Sequence, residues 1–211
     1  MAKPVMSRRA FAAASISLTA LPGVARAASL ASEDVTIGAA DAPLHLIEYA
    51  STTCPHCARF HAAAWSTLRS EYIDRGRVRF TFREIATPPA PVALAMFQLA
   101  RCETADPGEY LRRVGVLFER QRAILGTGTG AGVRDALLAL GGEWRLSEEQ
   151  VMACIGDPAG AQRITRSMEQ AGSLGIDSTP SFILNGARIE DNGFQTLDGL
   201  RRTLNARLAA N

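Results

Sequence analysis

The hydrophobic and polar positions fall into three successive patterns. Val35 to Ile37 reads as a short strand. Leu44-His45-Leu46-Ile47-Glu48-Tyr49-Ala50 is apolar enough for the centre of a sheet. It runs into Ser51-Thr52-Thr53, whose side chains suit the start of a helix. From Cys54 the spacing becomes helical: Phe60, Ala64, Leu68 and Tyr72 share one face, and Gly76 closes the segment. Val78, Phe80 and Phe82 then alternate with Arg77, Arg79, Thr81 and Arg83, which predicts a second strand. Strand, helix and strand in that order make a βαβ unit, whose crossover is expected to be right-handed.

At Pro88, Pro89 and Pro91 the rhythm breaks, and helical spacing follows over 91–103, 107–124, 131–141, 148–155 and 159–174. Ser147 and Gln150 are placed to form a capping box at the start of the fourth of these helices. Ser181-Phe182-Ile183-Leu184 returns to strand character, and Asn185-Gly186 predicts a tight hairpin turn into Ala187-Arg188-Ile189. A last amphipathic helix spans about Thr196 to Leu208. The chain therefore reads as an α/β sheet domain in two pieces, 28–87 and 175–211, interrupted by a helical insert over 88–174. Gly126 to Gly132 follows a helix and lacks the Gly-Lys-Ser/Thr of a phosphate loop, so it reads as a helix-to-helix connection. Arg112-Arg113 and Arg201-Arg202 read as solvated helix faces, and Met96, Phe97 and Leu99 as core.

Composition alters this picture at the N-terminus. Ser7-Arg8-Arg9-Ala10-Phe11 opens an apolar run ending at Leu21; Pro22-Gly23 and Ala25-Arg26-Ala27 follow. This is the layout of an export signal over residues 1–27, of the twin-arginine type, with cleavage before Ala28 and a periplasmic destination. The run is shorter than the roughly 17–25 apolar residues of a membrane span. The formal charge of +2 includes Lys3, Arg8, Arg9 and Arg26, and no acid accompanies them. Without that segment 19 basic residues face 21 acidic ones, which removes an electrostatic case for nucleic acid or an anionic membrane surface.

Cys54-Pro55-His56-Cys57 carries the chemistry. Two cysteines at i and i+3, directly after a buried strand and opening a helix, can close into a small disulfide without unwinding the helix. The first sulfur would lie over free backbone N–H groups at the positive end of the helix dipole, where thiols ionise at about 3.5–7.5 instead of about 8.5. Cys57, one turn further in, is expected to be shielded and to act as the resolving thiol. His56 offers a further donor, and a positive charge when protonated. Haem attachment requires a histidine directly after the second cysteine, and Ala58 stands there. A structural zinc needs four ligands, whereas Cys54, Cys57 and His61 give three, so no metal and no cofactor are expected. Cys102 and Cys154 both fall in the helical insert. In an exported protein they would form a structural disulfide, the alternative being two buried free thiols.

The Cys-Pro-His-Cys motif at a strand-to-helix junction, followed far downstream by Thr179-Pro180 before a strand, resembles the DsbA-like thiol:disulfide oxidoreductases of the thioredoxin superfamily. Thr before that proline and a compact helical insert are similar to the alphaproteobacterial members. The resemblance covers residues 33–209 and implies a thioredoxin fold with an inserted helical domain. It also implies that Pro180 is a cis-proline opposite the disulfide and that backbone groups of Thr179 bind a client peptide. Pro55 and His56 match the variable dipeptide that tunes the potential. Glu48 matches a buried acid beneath the active site, able to relay the proton of Cys57. Relatives of this type also carry a non-catalytic disulfide like Cys102–Cys154. His45 and His61 match no role and read as packing or surface residues.

Three functions fit. The first is a periplasmic dithiol oxidase that introduces disulfides into reduced, unfolded exported proteins and is reoxidised by a DsbB-like, quinone-linked membrane oxidase. The second is an isomerase or reductase of the same fold. The third is a metal-carrying or chaperone module. Only Ala28 to Asp34 lie between the cleavage site and the first strand, too few residues for the N-terminal stalk through which isomerases dimerise. A monomer is therefore expected.

Overall fold

The structure, a computed structural model, describes Met1 and residues 34–210; the export-signal expectation falls outside the described residues. Among those residues, five strands form one mixed sheet in the order β1-β3-β2-β4-β5. They are β1 (Val35–Ile37), β2 (Leu44–Ala50), β3 (Val78–Glu84), β4 (Ser181–Leu184) and β5 (Ala187–Arg188). β2 runs parallel to β3, as the βαβ pattern requires, while β1 against β3, β4 against β2 and β5 against β4 are antiparallel. The central position of β2 explains its near-continuous apolar character. Its odd and even residues serve opposite faces. Leu44, Leu46 and Ala50, with Phe80 and Phe82 of β3, belong to the main core. Tyr49 packs on the opposite face with Ala171, Ile176 and Ile183.

Helix α1 (Pro55–Phe60) continues through π-helical turns at His61–Trp65 and Leu68–Ile73. The face with i+4 spacing survives this widening: Phe60, Ala64, Leu68 and Tyr72 are all buried. The insert comprises α2 (Ala90–Arg101), α3 (Pro107–Gly126), α4 (Gly130–Glu143), α5 (Glu148–Ile155) and α6 (Pro158–Ser173), each within two residues of the spacing-based range. The Ser147–Gln150 capping box forms as the sequence predicts, and Met96, Phe97 and Leu99 are core. α4 meets α5 at Gly141, where a Cβ would stand 2.2 Å from Val151 Cγ2. Asn185 and Gly186 both take positive φ, +48° and +81°, as the tight turn between β4 and β5 demands. After a 3-10 turn at Asn192–Gln195, α7 (Leu197–Ala209) ends the described chain, with Thr196 as its N-cap.

A buried ionic cluster ties the insert to the sheet. Glu84 Oε1, at the end of β3, accepts from Arg101 Nε of α2 at 2.8 Å and from Tyr110 Oη of α3 at 2.6 Å. Burial drives the Tyr110 hydroxyl well above its ordinary pKa, and burial lowers that of Arg163, which faces the same cluster from α6.

Two sequence readings need correction. Arg113 is not a solvated residue. It is buried, its Nη1 donates to the Cys102 carbonyl at 2.6 Å, and its guanidinium lies 4.9 Å from the centre of the Trp144 ring. A cation at the last carbonyls of α2 is favourable, which holds Arg113 there; Arg112, by contrast, stays exposed and pairs with Glu109. Ser51, Thr52 and Thr53 do not cap α1 either. Cys54 is the N-cap residue, without a side-chain capping bond. The three hydroxyls instead bind neighbouring segments: Thr53 Oγ1 donates to the Thr87 carbonyl at 2.9 Å, and Ser51 Oγ accepts from Thr87 N at 3.2 Å.

Candidate active site

Cys54 sits where β2 hands over to α1. Its backbone is extended (φ −83°, ψ 119°) and Pro55 occupies the first helical turn, where its missing N–H costs nothing. The active-site loop is held from the insert as well. Gln121 of α3 donates Nε2 to the carbonyls of Thr52 at 2.7 Å and Cys54 at 3.0 Å. Sequence reasoning passed over Gln121; its one signal was an amide on the apolar face of an otherwise regular helix.

The Thr179–Pro180 peptide bond is cis, as is Pro88–Pro89. Thr179 faces Cys54, whose thiol donates to the Thr179 carbonyl at 3.2 Å. Both active-site cysteines are free thiols, and they differ sharply. Cys54 Sγ is pushed down to about 5, first by a hydrogen bond from the Cys57 thiol, then by the Thr179 side chain and the backbone N–H groups of Cys57 and His56. These outweigh its partial desolvation. Cys57 has no exposed surface, and burial pushes its thiol well above the ordinary value. Its bond to Cys54 and the Glu48 charge act in the same direction, against a weak bond from Ser51 N at 3.5 Å. The pair thus holds an easily ionised outer sulfur and a protonated inner one. His56 reaches Cys54 through its backbone N–H and not through its ring. It is exposed, and its Nδ1 takes a hydrogen bond from Arg59 at 2.6 Å, which leaves the permanent positive charge at this edge on Arg59.

Glu48 is fully buried on the sheet face that meets α1. It is joined to a residue that sequence reasoning treated as inert: His61 Nε2 lies 3.0 and 3.1 Å from its two oxygens. The available signal was spacing, since His61 stands four residues after Cys57 and so on the same helix face. His45 remains peripheral, half-buried, with Nε2 2.8 Å from Thr81 Oγ1. Cys102 and Cys154 are joined by a 2.05 Å S–S bond between the C-terminal end of α2 and α5. Among the described residues no group of three or more His, Cys, Asp and Glu side chains is arranged to hold a metal ion. Nor is any described helix long and apolar enough to cross a membrane.

Two depressions flank the sulfurs. One, of about 280 Å³, runs from His56 past Thr179 and Pro180 to Arg188, Glu190 and Asp191. The other, of about 390 Å³, opens between α1 and α3, with Pro55, His61, Trp65, Phe118 and Gln121 in its wall.

A family model described as thioredoxin matches residues 30–206, most of the chain. The chain belongs to the thioredoxin family. Among solved structures of this fold it is similar to alpha-DsbA1 of Wolbachia pipientis, with a TM-score of 0.72 and 20% identity over 92% of this chain and 94% of that one. It is also similar to the protein-disulfide isomerase of Novosphingobium aromaticivorans, with a TM-score of 0.71 and 20% identity over 85% and 99% of the two chains. These likenesses establish a thioredoxin fold carrying an inserted helical domain. Among curated sequences it is 25% identical, over 171 residues, to a Rickettsia bellii protein provisionally named a protein-disulfide oxidoreductase. That match takes in 78% of this chain and 61% of the relative, so this thioredoxin-family chain spans about three fifths of the relative's length.

Proposed function

We propose that the chain is an exported thiol:disulfide oxidoreductase that oxidises the cysteines of reduced, unfolded proteins in the periplasm. The observation that carries this reading is the asymmetry of the two thiols, about 5 at Cys54 against well above 9 at Cys57. A reduced form stabilised as a thiolate makes the corresponding disulfide a strong oxidant. In the forward direction a client thiolate attacks Cys54 Sγ, and the Cys54–Cys57 bond breaks. The client's second thiolate then attacks the client sulfur of the mixed disulfide and expels Cys54. Thr179 and Pro180 line the face a client peptide would cross, and Thr179 offers it backbone groups. The Cys102–Cys154 bond is a structural one under this reading. A DsbB-like, quinone-linked membrane oxidase would restore the Cys54–Cys57 bond.

One observation favours a second reading: a structural relative of similar likeness is named an isomerase. The equilibrium of Cys54–Cys57 with glutathione tests the reading. A potential near −120 mV is the expected result and supports an oxidase; one near −180 mV would match a disulfide isomerase, and one near −270 mV a reductase.

A further inference from the structure

Every turnover leaves the buried inner sulfur short of a proton or holding one too many. Cys57 is sealed from solvent and its thiol is the high-pKa member of the pair. When the active-site disulfide opens, Cys57 departs as a thiolate and must acquire a proton; when it closes, Cys57 must lose one. We propose that His61 is the proton gate of this site, passing protons through Glu48 between the buried Cys57 and the cavity between α1 and α3. This rests on the thiol:disulfide reading above and extends it to a residue that reading does not use.

Four observations converge on His61. Its Nε2 is bonded to both oxygens of Glu48, whose charge acts on Cys57. Its other nitrogen, Nδ1, is buried and has no hydrogen-bond partner, an uncommon state for a buried polar atom. The ring forms part of the wall of the 390 Å³ cavity. Aromatic side chains fix its orientation: Trp65 stacks at 5.2 Å, Phe118 lies at 4.4 Å, and Phe60 and Phe82 present edges. An imidazole bonded at one nitrogen and unpartnered at the other can take a proton on one side and release it on the other. The charged groups around it are few. β2 contributes Glu48, α1 contributes Cys57 and Arg59, α3 contributes Glu119 and Arg122 along the cavity, and β3 brings only the uncharged Phe82.

The balance is simple. A client dithiol gives two electrons to the Cys54–Cys57 bond, forming its own disulfide. Its two protons pass to solvent and one proton is taken up by Cys57, since Cys54 remains a thiolate above pH 5. The proton delivered to Cys57 comes from the Glu48–His61 pair, and His61, whose ring forms part of the cavity wall, recovers one from there.

The test uses the mature protein carrying glutathione on Cys54. Attack by Cys57 then releases glutathione in a first-order step that requires Cys57 to lose its proton. His61→Ala and His61→Phe are expected to slow release at pH 7 about 100-fold, the range of a lost general acid–base group. Added imidazole restores the rate in His61→Ala, where the ring's space is vacated, and not in His61→Phe, where it is filled. The Cys54 thiolate, read by its ultraviolet absorbance, still titrates near 5 in both variants. Equal rates in all three proteins, or a loss that imidazole does not repair, would overturn the gate. Should neither variant fold, the wild-type profile decides. A gate gives a rate that levels off while Cys57 is still protonated, whereas a tenfold rise per pH unit throughout refutes it. Failure of the wild type to release glutathione at any pH would instead sink the thiol:disulfide reading itself.

Discussion

The lowered Cys54 pKa has a measurable consequence for stability, because reduced and oxidised protein differ in whether that group titrates. In the unfolded dithiol chain Cys54 ionises near its ordinary value of 9, and in the folded chain at about 5. A depressed pKa stabilises the fold only where the folded chain has released the proton and the unfolded chain still holds it. The contribution is therefore complete above pH 9, declines as pH falls, and is gone below 5. At pH 7 two units separate solution from the folded pKa, equivalent to about 3 kcal/mol. Cys54 is only partly desolvated, and screening brings this to roughly 1–2 kcal/mol. The disulfide form has no thiol at this position and lacks the contribution. It gains instead from loop closure, an effect that does not titrate. Cys57 is likewise a thiol only in the reduced form, but with its pKa raised it stays protonated in both folded and unfolded chains below pH 7; the remaining ionisable groups occur in both forms and cancel. The quantity to follow is thus the difference in unfolding free energy between the two forms, measured by urea denaturation at pH 7 and pH 4. The reduced protein should lose about 1–2 kcal/mol relative to the oxidised one over that interval. Reduced Cys54→Ser protein, with no thiolate to lose, should show no such change against the same wild-type disulfide form. A difference that stays constant, or that moves in favour of the reduced form toward pH 4, would refute the assignment of Cys54 as the low-pKa thiol.

Two further outcomes test the scaffold. Replacing both Cys102 and Cys154 by alanine opens a loop with a sequence separation of 52 and should cost about 4 kcal/mol in urea unfolding, while Cys54 still titrates near 5; a shifted Cys54 titration would show that the distant disulfide bears on the active site. Glu84→Ala removes the carboxylate that pairs with Arg101 and Tyr110 in the buried cluster, and about 3–5 kcal/mol of stability should go with it. A loss below 1 kcal/mol would mean that the cluster does not join the insert to the sheet energetically.

The parts of the fold that were legible in the sequence share one property: they depend on local periodicity. Period-2 alternation located β3, the i+4 stripe from Phe60 to Tyr72 located the buried face of α1, and Asn185-Gly186 located the hairpin. The placement of Cys54 at a helix start was equally local, and much of its depressed pKa follows from that position. The cis bond at Pro180 was not readable from its neighbours and came from the resemblance alone. Glu48 was readable as a buried acid, yet its partner was not. The register that sets Glu48 between Phe82 and Phe182 turns its carboxylate toward α1, and no pattern within β2 reports which helix residue will meet it.

Arg113, Gln98 and Gln121, whose partners no local pattern reports, share a physical role. Arg113 donates to the Cys102 carbonyl beyond the end of α2. Gln98 donates to the carbonyls of Cys154 and Asp157 around the end of α5, at 3.1 and 2.8 Å. Gln121 donates to the carbonyls of Thr52 and Cys54 just before α1. Each meets backbone carbonyls at a helix end or in the loop beside one; those of Cys54, Cys154 and Asp157 also accept a backbone N–H, so the side chain takes the second lone pair. An insert of five helices brings several such ends against neighbouring helices. A long polar side chain on an otherwise apolar helix stripe is then the mark of a neighbouring chain terminus or loop, and not of solvent. By that rule Gln121 points to the active-site loop as directly as Cys54 does. The insert does more than cover the sheet, because it holds the carbonyl of the residue that bears the reactive sulfur.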